Sequence, residues 1–121
     1  MSNVKILIVE DNKLNALIAA KLLNKIGIEN IDFATNGKEV IQKIHDVDYD
    51  LILMDCQMPI YDDYEATKEL RSLGIRTPII ALTASVSGED IDGCFNAGMN
   101  NHLSKPIQIN QLQEVVNKYL M

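Results

Sequence analysis

Short apolar runs alternate along the chain with segments in which apolar residues recur every three or four positions. The short runs predict β-strands, and the periodic segments predict helices with one buried face. The first, third and fourth runs are almost continuously apolar, which is typical of central strands in a parallel sheet covered on both faces. The predicted strands span residues 4–10, 30–34, 50–55, 78–83 and 100–104.

Five helices are predicted between and after these strands. The first spans residues 13–26, the second begins after Asn36, the third spans residues 64–73, the fourth begins at Ser87 and the fifth reaches the C-terminal end. Glycine follows three of them, since it readily adopts the positive φ that ends a helix. The residues expected to face the core are Leu14, Leu17, Ile18, Leu22, Ile26, Val40, Ile41, Ile44, Ala66, Leu70, Leu73, Ile91, Phe95, Leu112, Val115, Val116 and Leu120.

This alternation predicts an α/β domain, a doubly wound sheet of five parallel strands with five helices. Because crossovers between parallel strands are right-handed, we expect the strand order 2-1-3-4-5. In that order the winding reverses between the first and third strands, and ligands bind beyond the carboxyl ends of the strands at such a point. A chain of 121 residues, 47% of them hydrophobic, is expected to form one domain over residues 1–121.

The composition argues against several kinds of partner. The net charge of −6 disfavours nucleic-acid binding by this domain, since phosphate contacts need clustered Lys and Arg. No apolar stretch approaches the ~20 residues that cross a bilayer, and no signal-peptide pattern is present, so we expect a cytoplasmic protein without membrane contact. Cys56 and Cys94 form no CxxC motif and are interpreted as buried thiols, with redox sensitivity of Cys56 as the alternative.

Acidic side chains mark the ends of the first and third strands. Glu10 and Asp11 follow one strand and Asp55 ends the other, so three carboxylates are expected at one edge of the sheet. Each pair repels by ~1 kcal/mol in water and ~4 kcal/mol at an effective dielectric constant of ~20, which a cation would relieve. Oxygen ligands at a hydrated edge favour Mg²⁺, with Mn²⁺ as the alternative. We expect direct ligation by Asp11 and Asp55, ligation through water by Glu10, and a third ligand in the backbone carbonyl of Gln57.

Thr83 and Lys105 add a hydroxyl and an ammonium group at the same edge. A carboxylate beside Mg²⁺ can form an acyl phosphate, which makes Asp55 the candidate phosphoacceptor. Phosphoryl transfer requires neutralisation of charge on the equatorial oxygens, for which Mg²⁺, Lys105, and Thr83 with the Ala84 amide are the candidates. Pro106 after Lys105 predicts a cis peptide bond that turns the lysine back into the site.

Four segments at the strand ends resemble the receiver domain of two-component response regulators and hybrid histidine kinases. Each segment is weak evidence alone, and the four in order are highly specific. The resemblance covers the whole chain and implies a flavodoxin-like fold. The segments are Val9-Glu10-Asp11-Asn12, Leu53-Met54-Asp55-Cys56-Gln57-Met58-Pro59, Ala81-Leu82-Thr83-Ala84 and Leu103-Ser104-Lys105-Pro106.

The resemblance implies a phosphoacceptor signalling domain rather than an enzyme, with self-phosphorylation and autodephosphorylation chemistry. A histidine kinase or a histidine phosphotransfer protein would supply the phosphoryl group to Asp55. Phosphorylation would then shift the face formed by the fourth helix, the fifth strand and the fifth helix. A monomer or a weak phosphorylation-dependent dimer is expected. Details that favour the hybrid-kinase branch are Asn12 with Asn15, Gln57-Met58-Pro59, Tyr64-Glu65-Ala66-Thr67 and Ala97-Gly98-Met99.

Two positions depart from the family pattern. Asp62-Asp63 stands where an Asp-Gly pair is usual after Pro59, which puts the loop geometry and the local metal affinity in doubt. His102 occupies the strand-five position that often holds Tyr or Phe. We interpret it as a weaker switch residue, a source of pH dependence or a surface residue.

The same residues argue against two alternative functions. A non-phosphorylated interaction domain of this fold is disfavoured by the complete acidic and lysine set. A small hydrolase of the aspartyl-phosphate type is disfavoured because Gln57, not a second Asp, stands two positions after Asp55. Capping of the first helix by Glu10 and Asp11 is the main structural alternative to metal binding.

Overall fold

A computed structural model describes residues 3–56, 60–84 and 88–120, with the side chains of residues 60–63 and 88–91 excepted. Five strands alternate with five helices in this part of the chain. The elements are β1 (Lys5–Val9), α1 (Lys13–Lys25), β2 (Asn30–Ala34), α2 (Gly37–Asp46), β3 (Leu51–Asp55), α3 (Ile60–Ser72), β4 (Ile79–Thr83), α4 (Gly88–Ala97), β5 (Asn101–Ser104) and α5 (Ile109–Leu120).

The five strands form one parallel sheet in the order β2-β1-β3-β4-β5, which confirms the predicted topology. Each predicted strand lies within one residue of its observed bounds. The register pairs Val9 with Met54 and Thr83 with Ser104, so neighbouring strands end at nearly the same level. The residues that follow β1, β3, β4 and β5 therefore lie at one edge of the sheet, at the carboxyl ends of the strands.

The sheet separates two apolar layers because successive residues of a strand point to opposite faces. Ile6 and Ile8 pack on one face with residues of α1 and α5. Leu7 and Val9 pack on the other face with residues of α2, α3 and α4. Every residue of β3 and β4 is buried, and full burial of one such side chain contributes about 1.5–3 kcal/mol.

The predicted core face of α1 is wrong. Leu14, Leu17 and Ile18 are 66%, 46% and 48% exposed, whereas Leu22 and Ile26 are partly buried against the core. The helix instead buries a face of small side chains, which lets its backbone approach the sheet closely. That face consists of Ala16, Ala19, Ala20 and Leu23.

Two further core predictions are wrong. Leu73 lies one residue beyond the end of α3 and is 63% exposed, and Phe95 on α4 is 43% exposed. The side chain of Ile91 lies outside the described residues. Ile41, Ile44 and Leu120 are partly buried against the core. The remaining predicted core residues are buried, namely Val40, Ala66, Leu70, Leu112, Val115 and Val116.

The start of α2 and the ends of α1 and α3 lie within one residue of their predicted positions. Asn36 caps α2 by accepting the Glu39 N–H at 2.9 Å, and the Glu39 carboxylate accepts in return from the Thr35 N–H at 3.2 Å. Gly27 and Gly74 adopt φ of 95° and 82° after α1 and α3, a conformation that favours glycine. Helix α3 begins at Ile60, four residues before the predicted start, and the predicted α4 start at Ser87 lies outside the described residues. None of the described helices has the length and apolar character needed to cross a bilayer.

Candidate functional site

Three carboxylates meet where β1 and β3 end. Glu10, Asp11 and Asp55 each offer an oxygen, and these oxygens all lie within 4.8 Å of one another. Glu10 is held in register because its N–H donates to the Ala34 carbonyl at 2.9 Å, which extends the pairing of β1 with β2. Glu10 and Asp55 are buried while Asp11 is exposed. The cluster therefore has a dry inner side and a hydrated outer side.

The Lys105 ammonium neutralises part of this charge. Its Nζ lies 2.5 Å from Asp55 Oδ1 and 3.5 Å from Glu10 Oε2. The Lys105 N–H donates to the Thr83 carbonyl at 2.7 Å, which anchors the backbone after β5 to the end of β4. The Lys105–Pro106 peptide bond is cis, as predicted.

The pKa of Glu10 is raised from 4.5 to about 7, mainly by burial and secondly by a hydrogen bond with Asp55. The Asn12 N–H and the Lys105 charge act in the opposite direction but less strongly. One lysine does not balance the buried acidic pair, so Glu10 retains a proton near neutral pH. One more positive charge beside these carboxylates would therefore be stabilising.

Thr83 contributes a buried hydroxyl at the end of β4. Among the described residues its Oγ1 has no hydrogen-bond partner. A buried polar atom without a partner is uncommon and indicates a missing ligand, ion or water. The next residue, Ala84, is exposed and lines an open cavity of about 400 Å³ with Glu10, Lys105 and Ile18. Glu10 and Lys105 thus share one opening beside the end of β4, while the Thr83 hydroxyl oxygen is buried.

The donor set fits a hard divalent cation. Carboxylate oxygens are the ligands that Mg²⁺ prefers, and the exposed Asp11 leaves room for the waters that this ion retains. Asp11, Asp55 and Glu10 are the described residues that would hold it. The predicted backbone ligand Gln57 lies outside the described residues. Asp62 and Asp63 were expected in a loop, but they lie within α3, and their side chains are outside the described part of the structure.

Helix capping does not account for the acidic pair. Asn12 is the N-cap of α1, because its Oδ1 accepts the Asn15 N–H at 3.0 Å. Glu10 accepts the Asn12 N–H at 3.1 Å, so it orients the cap without replacing it. Asp11 is not the cap residue. The capping alternative is therefore contradicted for Asp11. For Glu10 it explains only the contact with the Asn12 N–H.

His102 lies on β5 at one edge of the sheet and contacts α4. Its ring meets Phe95 edge to face, with ring centroids 6.3 Å apart. Among the described residues its buried Nδ1 has no hydrogen-bond partner. The contact joins β5 to α4, while the role of His102 as a switch residue stays a prediction.

The sequence did not indicate two features beside the site. The exposed apolar side chains of α1 border it, since Ile18 and Leu17 line cavities that also contain Glu10. The second feature is the proximity of two thiols, because Cys56 Sγ lies 3.6 Å from Cys94 Sγ. The exposed apolar side chains could have been found from the sequence, because α1 carries a second apolar stripe. The contact between the two thiols could not, because no spacing rule relates these positions.

A comparison with known protein families decides the relationship. The model of the response regulator receiver domain matches residues 6–117. The chain belongs to this family. The receiver domain is a component of two-component phosphorelay signalling, and this assignment confirms the resemblance noted in the sequence.

The relatives include kinases and small regulators. The receiver domain is 40% identical to part of the osmosensing histidine protein kinase SLN1 of Saccharomyces cerevisiae, covering 98% of this chain and 10% of that protein. It is 35% identical to the two-component response regulator ORR41 of Oryza sativa subsp. japonica, covering 96% of this chain and 94% of that protein. The chain therefore spans a small part of the kinase and nearly all of the regulator.

A solved structure supports the fold and the metal fit. The receiver domain of the sensor histidine kinase PA1611 from Pseudomonas aeruginosa is 37% identical, with a TM-score of 0.86 and coverage of 98% of both chains. That protein was crystallised with a magnesium ion coordinated in its active site cleft.

Proposed function

We propose that this receiver domain accepts a phosphoryl group on Asp55 from the phosphohistidine of a histidine kinase or histidine phosphotransfer protein. The observation that carries the proposal is the meeting of Lys105 Nζ with Asp55 Oδ1 at 2.5 Å beside the carboxylates of Glu10 and Asp11. Asp55 is 1% exposed and is paired with Lys105, so its nucleophilic oxygen is held in one position.

The transfer step exchanges one bond to phosphorus for another. An Asp55 oxygen forms the O–P bond while the N–P bond of the donor breaks, and the bonding electrons return to the imidazole nitrogen. Mg²⁺, when bound, would supply positive charge to the phosphoryl oxygens. Lys105 would neutralise a second oxygen, and the Thr83 hydroxyl and the Ala84 N–H would donate to a third. Thr83 Oγ1 supports this role, because it lacks a hydrogen-bond partner in the described part of the chain and phosphorylation would give it an acceptor.

The exposed apolar part of α1 is the proposed docking surface for the donor. Leu17 and Ile18 line cavities that also contain Glu10, and Leu14 is a further exposed apolar residue of the same helix. Exposed apolar clusters rimmed by polar residues mark interaction surfaces. A related structure supports this kind of partner. The complex of Ypd1, a histidine phosphotransfer protein, with the receiver domain of Ssk1 from Saccharomyces cerevisiae matches with a TM-score of 0.87 at 30% identity, covering 98% of this chain and 89% of that one.

The proposed signal is a shift in population between two states. A phosphoryl group adds about −1.5 to −2 charges, which draws Thr83 toward Asp55. The space left by Thr83 would let His102 and Phe95 rearrange on the face formed by α4, β5 and α5. One or two charge-assisted hydrogen bonds contribute about 1.5–3 kcal/mol each. A complete shift from 1:99 to 99:1 needs ~5.5 kcal/mol, so a partner would complete the change.

The test is phosphorylation by a small donor. The protein is incubated with acetyl phosphate or phosphoramidate and Mg²⁺, and intact mass is measured for the wild type and for Asp55→Asn. One added phosphate on the wild type alone is expected. Absence of an adduct on both proteins, with no phosphate released, would favour the interaction domain. Rapid release of phosphate without an adduct would favour the hydrolase.

A further inference from the structure

Cys56 and Cys94 bring two thiols together beside the phosphoacceptor. Cys56 directly follows Asp55 at the end of β3, and Cys94 lies on α4. Their Sγ atoms are 3.6 Å apart although the residues are separated by 38 positions. No disulfide joins them in the structure, so both residues are present as thiols.

The backbones on both sides are well anchored. The Cys56 N–H donates to the Leu82 carbonyl at 2.9 Å, which holds it against β4. The Cys94 carbonyl accepts the Met99 N–H at 3.1 Å at the end of α4. A disulfide has an S–S distance of about 2.05 Å, so the two sulfur atoms need to approach by roughly 1.5 Å. Formation of the disulfide therefore requires a movement of the two side chains toward each other.

We propose that Cys56 and Cys94 are an oxidation site at which a hydroperoxide forms a reversible disulfide, and that this crosslink slows phosphorylation of Asp55. The site itself depends only on the two thiols. Its regulatory consequence rests on the proposed function.

The oxidation balances with hydrogen peroxide as the oxidant. Cys56 is the more exposed of the two residues, and its sulfur attacks one peroxide oxygen, the O–O bond breaks, and one water leaves as Cys56 becomes a sulfenic acid. The sulfur of Cys94, a residue that is 1% exposed, then attacks the Cys56 sulfur, and the hydroxyl group leaves as a second water with the Cys94 proton. Two electrons pass from the sulfur atoms to the peroxide. Proximity makes the second step intramolecular and favours it over further oxidation.

The crosslink would act on signalling because it joins the end of β3 to α4. Helix α4 contributes Phe95, which contacts His102 on the face that is proposed to change on phosphorylation. A covalent bond between Cys56 and Cys94 would hold α4 in the arrangement seen here. Accepting a phosphoryl group would then no longer be coupled to the change in that face. We expect phosphorylation to be lower by about 5-fold or more, because the phosphorylated state would lose the stabilisation that it gains from the change in that face.

The first experiment measures the thiols directly. The wild type, Cys94→Ala and Cys56→Ser are treated with hydrogen peroxide, alkylated with N-ethylmaleimide under denaturing conditions, and mapped as peptides without reductant. We expect the wild type to lose both thiols together, to give a peptide linking Cys56 to Cys94, and to recover both thiols in dithiothreitol. Cys94→Ala is expected to give a sulfenic acid at Cys56, trapped by dimedone, with no crosslinked peptide.

A wild type that keeps both thiols, or that accumulates oxidised Cys56 without the linked peptide, would overturn the site. The wild-type peptide map decides this even if a variant fails to fold. Loss of thiols through linkage between molecules, seen as dimers on a gel without reductant, would also overturn it.

The second experiment measures phosphorylation by acetyl phosphate for oxidised wild type, reduced wild type and peroxide-treated Cys94→Ala. Slower phosphorylation only in the oxidised wild type is expected. Equal rates in all three samples would overturn the regulatory consequence. If reduced wild type accepts no phosphate, the proposed function fails instead, and the thiol measurement still decides the oxidation site.

Discussion

Lys105 Nζ and Asp55 Oδ1 lie 2.5 Å apart although 50 positions separate the two residues in the chain. The contact depends on β5 and β3 lying on either side of β4, and on the anchoring of Lys105 by the Thr83 carbonyl. It combines a buried nucleophile with the charge that would stabilise a transferred phosphoryl group. The strand order of the sheet is therefore what creates the site.

Replacing Lys105 by methionine is predicted to slow phosphorylation of Asp55 by about 10- to 150-fold, which corresponds to one charge-assisted hydrogen bond of about 1.5–3 kcal/mol. The rate with acetyl phosphate and saturating Mg²⁺ checks this. Lys118→Met is the matched control, because Lys118 is exposed on α5 and contacts the Tyr119 ring rather than the site. Equal effects of both substitutions would argue against the role of Lys105.

Stability without metal is predicted to depend on the protonation of Glu10. Its pKa is raised from 4.5 to about 7, so the folded protein holds a proton that the unfolded chain releases between these values. The free energy of unfolding should therefore fall as pH rises through this window. Urea unfolding in EDTA at about pH 5 and about pH 7.5 measures the change.

The matched variant for this prediction is Glu10→Gln, which keeps the shape and removes the titrating group. Its stability should fall less across the same window. Mg²⁺ should also reduce the loss in the wild type at the higher pH, because the cation replaces the proton. An identical pH dependence in wild type and variant would contradict the assignment to Glu10.

The exposed apolar residues of α1 are predicted to select the donor protein. Leu17→Glu should lower the rate of transfer from a phosphorylated histidine phosphotransfer protein by 10-fold or more, roughly the effect of losing one interface residue worth more than 1 kcal/mol. Transfer from acetyl phosphate should stay unchanged, since this donor needs no docking surface.

Leu73→Glu provides the control for that substitution. Leu73 is also an exposed apolar residue, but it lies after the end of α3 and is absent from the cavities that contain Glu10. Equal loss of transfer in both variants would show a general effect of surface charge instead of a docking surface.

Arg71 is predicted to stabilise the side of the fold opposite the site. Its guanidinium donates to the carbonyls of Gly98, Ile75 and Thr77 and to Asn100 Oδ1, at 2.7–2.9 Å. Arg71→Met should lower the free energy of unfolding by about 2–4 kcal/mol, because several partly buried acceptors lose a charged donor. Urea unfolding measures this loss, and a change below 1 kcal/mol would contradict it.

Arg76→Met is the control for this loss, because Arg76 is exposed and lies close by in sequence. Its substitution should change the free energy of unfolding by about 0.5 kcal/mol or less.

The sequence by itself determined the order of elements, the parallel topology and which acidic residues stand at strand ends. Strands β3 and β4 are apolar up to their last residues, Asp55 and Thr83, and this pattern is typical of central strands in a parallel sheet covered on both faces. Right-handed crossovers then restricted the strand order, so the convergence of Glu10, Asp11 and Asp55 followed from local patterns.

Only the tertiary structure decided which face of α1 is buried. Two apolar stripes compete on this helix, and the close approach of Ala16 and Ala19 to the sheet leaves Leu14 and Leu17 exposed. The tertiary structure also decided the contact between Cys56 and Cys94, because distances across 38 residues depend on how α4 packs beside β3. Periodicity describes one element at a time, whereas these features arise from the packing of elements against each other.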